Sequence, residues 1–298
     1  MKRTENLKAL LLTCLAPVFW STGGIGVRLI ESSPATILFW RSLFMTVVLL
    51  GWTLFTRRKK ANTQTEKALS IRQAFPVMIF LSMAYIFYIY SVTNASIADS
   101  LMIQGTAPIF IVFLGWLVLH ERIRPVTIGA LVLVICGIGI ILIQSLSLGG
   151  LSGNIYGLAK ALAFAAATVS IRARRSVGIM PATTAAAVMS TLFALFLNPN
   201  LSPDLYTLAV LAYLGIFQIG LGYILFVTWS GKLSSSQTGL IVILEAVLGP
   251  IWPWLFLGER PFPLTFVGGG IIIIALVGHT LLYNQKPSIE PNSSHTEA

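Results

Sequence analysis

The chain is a succession of apolar runs, each about 20 residues long, bounded by proline, glycine, asparagine, serine or charge. An α-helix rises about 1.5 Å per residue, so a run of that length spans the roughly 30 Å hydrocarbon core of a bilayer. Ten runs qualify. They lie at about Leu7 to Ile30, Ala35 to Phe55, Ala74 to Thr93, Ser100 to Leu119 and Val126 to Gln144, then Ile155 to Ile171, Ala182 to Leu197, Tyr206 to Trp229, Gln237 to Leu257 and Leu264 to Tyr283. Between them stand turn and cap residues: Glu31-Ser32-Ser33-Pro34 before the second run, Gly149-Gly150 before the sixth, Asn198-Pro199-Asn200 before the eighth. Pro34, Pro125 and Pro181 fall at or just before helix starts, where a missing N–H costs little. The pattern predicts an all-α integral membrane protein of ten transmembrane helices.

Composition agrees. Hydrophobic residues make up 56% of the 298 and charged residues 10%, against about 25% charged in an ordinary soluble domain. The formal net charge of +10 would suggest a nucleic-acid partner in a soluble protein. In a membrane protein, basic excess belongs to cytoplasmic loops, and no nucleic-acid role is expected. With the N-terminus inside, 16 of the 20 Lys and Arg fall on one side, including Lys2, Arg3, Lys8, the run Arg57 to Lys60, Arg172, Lys232 and Lys286. Arg28 and Arg260 fall outside, and Arg41 and Lys160 lie within spans. Both termini are therefore expected in the cytoplasm, the chain in the inner (plasma) membrane, and the polar tail at residues 284–298 disordered. The first run has the basic start of a signal peptide, but no small-x-small cleavage pattern follows it, so it reads as a retained helix. Cys14 and Cys136 both lie in apolar runs, with no CxxC pair and no Cys/His cluster, so no metal, cofactor or disulfide is expected.

Internal similarity is the most informative feature. Leu114-Gly115-Trp116-Leu117-Val118-Leu119-His120-Glu121-Arg122 aligns with Trp252-Pro253-Trp254-Leu255-Phe256-Leu257-Gly258-Glu259-Arg260 at a shift of 138, and in the same register Tyr85 meets Tyr223. Pro34-Ala35-Thr36 matches Pro181-Ala182-Thr183 at a shift of 147, the difference fitting a longer basic loop around Arg57 to Arg72. Two five-helix halves result, at residues 7–145 and 153–283. An odd number of spans per half inverts the second half relative to the first, the arrangement by which many secondary transporters alternate access to a central site.

Four features carry a family resemblance: the Leu-rich run ending in Glu-Arg in each half, Phe19 to Gly23 in the first helix, Phe39-Trp40-Arg41 in the second, and Glu245 in the ninth. Together with the repeat, the chain resembles the drug/metabolite transporter superfamily, specifically its EamA-type ten-helix carriers, over about residues 7 to 283. Such families typically have Glu-Pro in the ninth helix. Here Glu245-Ala246 stands there, with proline displaced to Pro250 and Pro253. The resemblance implies a carrier of amino acids, amines, nucleotide-related metabolites, vitamins or drugs, often working outward.

Charge within a span is costly, so each such residue is a candidate for the transport site. Glu245 lies near the midplane, and Lys160 and Arg41 each lie roughly 9 Å in from the outer side. A carboxylate and a cation at similar depth suit a zwitterion such as an amino acid. The same residues also allow a structural Glu245–Lys160 salt bridge and an Arg41 that snorkels to the interface. Tyr85 and Tyr88 share one face of the third helix, and Tyr223 is the repeat-mate of Tyr85. With Trp20 and Ser21 midway along the first helix, they line a polar cavity or pack between helices. Gln104 and Gln218 are single polar groups in spans, equally suited to ligand contact and to interhelical bonding. Glu121-Arg122 and Glu259-Arg260 read as pins for short turns, and Trp252 and Trp254 as interface-belt residues.

Other classes fit less well. A retinal-binding receptor would have seven spans, an intramembrane enzyme would offer paired acids or a His cluster, and a primary pump would need a GxxxxGK[ST] phosphate loop. A channel would need a polar pore, whereas the polar residues are few and scattered. The sequence predicts a non-enzymatic secondary carrier of small organic molecules in the bilayer, monomeric or homodimeric. An exporter of amino acids or related amphipathic compounds is the first expectation, and an importer of a vitamin or nucleoside-like compound the alternative. Proton coupling would require Glu245 to gain and lose a proton during the cycle.

Overall fold

Hydrocarbon offers no partner to a backbone N–H or C=O, so each apolar run has to satisfy its own groups as a helix. A computed structural model describes residues 2–60, 71–120, 125–148, 150–173, 179–233 and 235–283, and among these no strand occurs. Glu121, Arg122, Lys67, Arg174, Arg175 and the tail at 284–298 lie outside the described residues. Among the described residues eight helices are long and apolar enough to cross a membrane, and two shorter apolar helices, Ile179–Leu195 and Ile241–Leu257, accompany them. The chain is thus a multi-pass membrane protein. Many of its exposed side chains are large and apolar, among them Val47, Ile135, Ile143 and Ile274, as a lipid-facing exterior requires.

In order, the helices are α1 (Lys2–Ser21), α2 (Gly23–Arg28), α3 (Pro34–Lys60), α4 (Ile71–Asn94), α5 (Ile97–Gln104), α6 (Ala107–Leu119) and α7 (Pro125–Leu148). There follow α8 (Leu151–Ala173), α9 (Ile179–Leu195), α10 (Leu205–Tyr213), α11 (Gly222–Trp229), α12 (Ser235–Leu248), α13 (Ile251–Leu257) and α14 (Pro263–Tyr283). A π-helical stretch, Leu214–Leu221, joins α10 to α11 without a turn.

Three runs that the sequence presents as single helices are interrupted. The first breaks at Thr22, ahead of Gly23-Gly24. The fourth breaks at Gly105-Thr106, ahead of Pro108, and the ninth at Gly249-Pro250. In the ninth the cause is direct, because Pro250 and Pro253 have no N–H to offer the carbonyls of Ala246 and Gly249 in α-helical register. The helix stops at the Gly249 N–H, which donates to the Glu245 carbonyl at 2.9 Å. Proline displaced from Glu245 therefore still breaks this helix, one turn later.

The packing is paired across the chain. α4 lies on α8 and α1 on α11; α6 lies on α8 and α1 on α12; α4 packs on α9 and α3 on the π stretch; α3 meets α9, and α7 meets α14. Exchanging the first five runs for the second five maps this set of pairs onto itself. α6 ends on a left-handed residue, His120 (φ 55°), and α13 on another, Gly258 (φ 68°), the same 138 residues apart as the sequence match. Small residues bring α7 and α14 together: a Cβ on Gly137 would lie 2.7 Å from the Gly268 carbonyl oxygen, and one on Gly268 2.6 Å from that of Gly137.

Candidate functional site

Arg41 lies two turns into α3 and is 2% exposed. Its Nε and Nη2 both donate to Gln218 Oε1, at 3.3 and 3.1 Å, and its guanidinium carbon lies 4.8 Å from the centre of the Tyr88 ring. This arginine does not snorkel to the interface; it is held inside the bundle. Gln218 sits in the π stretch, which lies against α3 so closely that a Cβ on Gly215 would meet the Arg41 carbonyl oxygen at 2.6 Å. Its Nε2 donates to the Trp20 carbonyl at 3.1 Å. Gln218 thus spends both ends of its amide between helices, fixing Arg41 against α1.

Around this arginine stand the aromatic residues. Trp20 packs on Tyr223 (5.5 Å between ring centres) and on Phe226 (5.3 Å), and the Tyr223 hydroxyl reaches toward that of Tyr85. Gly23 and Gly222 leave room for them: a side chain on Gly23 would strike the Tyr88 hydroxyl, and one on Gly222 the Trp20 indole nitrogen. Trp20 Nε1, Tyr85 Oη and Tyr88 Oη are buried without a hydrogen-bond partner. Orphaned buried donors are uncommon in native proteins and call for an explanation.

Glu245 and Lys160 are half-buried side chains deep among the helices, on α12 and α8. Glu245 is within electrostatic reach of both Lys160 and Arg41. It pairs with neither within 4.0 Å. The structural salt bridge that the sequence allowed is therefore not made. Lys160 Nζ instead lies 5.7 Å from the centre of the Phe164 ring. Gln104 is 3% exposed, donates through Nε2 to Ser91 Oγ at 3.3 Å, and leaves its Oε1 unpartnered. Its neighbour Gly105 abuts Ala246, which adjoins Glu245, and Gly157, one turn from Lys160, abuts Ser91. Of the ten candidate residues, nine gather around this centre.

Ser21 stands apart. Fully buried, it donates to the Val18 carbonyl at 2.7 Å and accepts from Trp252 Nε1 at 2.8 Å, so it ties α1 to α13. Trp252 is half-buried, with its indole N–H turned inward to Ser21. Trp254, 46% exposed, keeps its outward position.

Sequence reasoning missed one buried carboxylate. Asp99 is 3% exposed, and the Thr265 hydroxyl donates to its Oδ1. The fourth run starts three residues before the apolar pattern suggests, because Ser96 caps α5 by accepting from the Asp99 N–H at 3.0 Å. Ser96 followed three residues later by Asp99 is a capping pattern visible in the sequence.

One end of the bundle is closed by Glu259. Its Oε2 lies 3.5 Å from Arg28 Nε, its Oε1 accepts from the Ile97 N–H at 3.2 Å, and Arg28 Nη2 donates to the Ala95 carbonyl at 2.9 Å. Glu259 therefore joins the ends of α2 and α5 to the turn before α14, and does more than pin that turn.

The sequence profile of the EamA-like transporter family matches residues 7–143 and 151–281. The chain is similar to the pseudopaline exporter CntI of Pseudomonas aeruginosa, 27% identical over 256 residues, which cover 82% of this chain and 84% of that protein. The same protein from a second strain of that organism matches equally. A solved crystal structure superposes with a TM-score of 0.64 at 19% identity, covering 92% of this chain and 97% of the other, a likeness of fold alone.

Proposed function

The chain belongs to the EamA-like transporter family, and from that premise we propose that it is an alternating-access carrier. On this reading it exports small organic metabolites, amino acids or related amphipathic compounds, across the inner membrane. The observation that carries the reading is the central cluster of charges. Glu245 and Lys160 stand at membrane depth within each other's field but without an ion pair. Unpaired charge in such surroundings is costly unless water or a ligand completes it. A zwitterion laid between them completes both, with Tyr85, Tyr88, Tyr223 and Trp20 along its flank.

The halves at residues 7–145 and 153–283 are, on this reading, inverted repeats of five crossings each. The shorter helices α9 and α12–α13 supply the two crossings that the eight long spans leave over. Support comes from the exchange of packing pairs and from the matching left-handed ends of α6 and α13. Export is favoured over import because the similar curated protein is an exporter. Proton coupling, where it operates, acts through Glu245, the carboxylate within this centre.

The test compares metabolites inside and outside cells overexpressing the wild type or Glu245→Gln at equal membrane levels. A compound that builds up outside only with the wild type is the expected result. Equal build-up with Glu245→Gln removes Glu245 from the site, and depletion of a compound from the medium reverses the direction.

A further inference from the structure

The charges of the central cluster do not balance. Arg41 and Lys160 contribute two cations, and Glu245 contributes one carboxylate within their reach. Asp99, a buried carboxylate, is taken up by Thr265 and lies outside this set. Arg41 has no carboxylate within 4.0 Å; its bonded partner is the neutral Gln218 oxygen, which uses two of its five N–H donors. Lys160 has a neutral ring beside it.

The hydrogen-bonding inventory leans the same way. Trp20 Nε1 and the three N–H groups of Lys160 can only donate, and the Tyr88 hydroxyl, which can donate or accept, lacks a partner. On the acceptor side stand Gln104 Oε1, which has no partner, and the Glu245 carboxylate, which has no ion pair. A ligand that satisfies this set is rich in acceptors and carries one more negative than positive charge. A neutral zwitterion would leave Arg41 without a counter-charge.

We propose that the substrate is an amino dicarboxylate: one amine held by Glu245 and Gln104, one carboxylate held by Lys160, and a second carboxylate held by Arg41 with the Tyr88 hydroxyl. Gln218 is a positioning residue that aims Arg41. This inference rests on the reading of the cluster as the substrate site and narrows the class of compound that occupies it.

The test measures dissociation constants on the purified full-length protein for L-aspartate, L-glutamate and L-2-aminoadipate, each beside its side-chain amide. A charge-assisted bond to a second carboxylate should make at least one acid bind about tenfold or more tightly than its amide. Arg41→Gln should bring that ratio to about one through loss of acid affinity alone, and Arg41→Lys should keep a preference for the acid. Lys at this position also serves if the Gln variant fails to fold. An amide that binds as tightly as its acid overturns the proposal and leaves the zwitterion reading intact. Absence of binding by every acid and every amide overturns both.

Discussion

Glu259→Gln loosens the closed end of the bundle by an amount the geometry sets. The Arg28 and Glu259 side chains are 35% and 29% exposed, so their 3.5 Å ion pair is partly screened by solvent. Pairs of this kind contribute about 0.5–1 kcal/mol. Glutamine keeps an oxygen for the Ile97 N–H and loses only the charge, including its attraction to the start of α5, for a total near 1 kcal/mol. Glu259→Ala also strands the Ile97 N–H, as in loss of a helix cap, and brings the total to about 2 kcal/mol. If opening of this end breaks the Glu259 contacts, the open population rises about fivefold for Gln and about thirtyfold for Ala. The assay places one cysteine on α2 at Val27, which is 4% exposed and adjoins Arg28, in a chain whose Cys14 and Cys136 are replaced by serine. Its labelling rate by a membrane-impermeant maleimide in intact cells reports the open state. A graded rise from wild type through Gln to Ala is expected; equal rates in all three would refute the idea that the Glu259 contacts hold this end of the bundle shut.

Gly23→Ala drives a methyl group into the Tyr88 hydroxyl and the Gln218 side chain. It should lower thermal stability in detergent by about 1–3 kcal/mol and reduce transport with it. Gly137→Val forces α7 from α14 at a backbone contact and should destabilise by a similar or larger amount, while Gly139→Ala, where nothing lies within 4 Å, should not lower the melting temperature and should raise it slightly through helix propensity. Asp204 caps α10 by accepting from the Thr207 N–H at 3.0 Å, and the Thr207 hydroxyl together with that N–H holds its carboxyl below the ordinary range. A cap with a lowered folded pKa contributes above the unfolded value and fades as pH falls through the folded one. The protection of the Thr207 amide from hydrogen exchange, relative to its intrinsic rate, should therefore persist into mildly acidic solution, and should be lost at all pH values in Asp204→Ala.

Much of this architecture is written into the chain, for identifiable reasons. Apolar runs of membrane-crossing length have one stable backbone solution, so their positions follow from hydropathy, and helix ends follow from Pro34, Pro125 and the turn residues. Glu245, Lys160 and Arg41 could be singled out because charge is rare at that depth. Interruptions within runs are less legible: Gly249-Pro250 carries a local signal, but at Thr22 no proline stands, and the close approach of Tyr88 and Gln218 to Gly23 comes from other helices. Depth alone could not say whether Arg41 snorkels or turns inward, because the deciding partner, Gln218, is 177 residues away. Nor could it separate Ser21, spent on Trp252, from its neighbour Trp20, whose indole nitrogen lacks a partner. Such choices are made by tertiary contacts, and periodicity along one helix carries no trace of them.

The central claim is that a ligand, and not a direct ion pair, joins Glu245 to Lys160. It is tested most directly by a double-mutant cycle of Glu245→Gln and Lys160→Met, reading substrate affinity and thermal stability together. Each single variant should weaken binding by about 2–5 kcal/mol, with the double variant weaker than either and no regain of stability. Recovery of stability and transport in the double variant, relative to the singles, would contradict the account and make the two residues a structural pair.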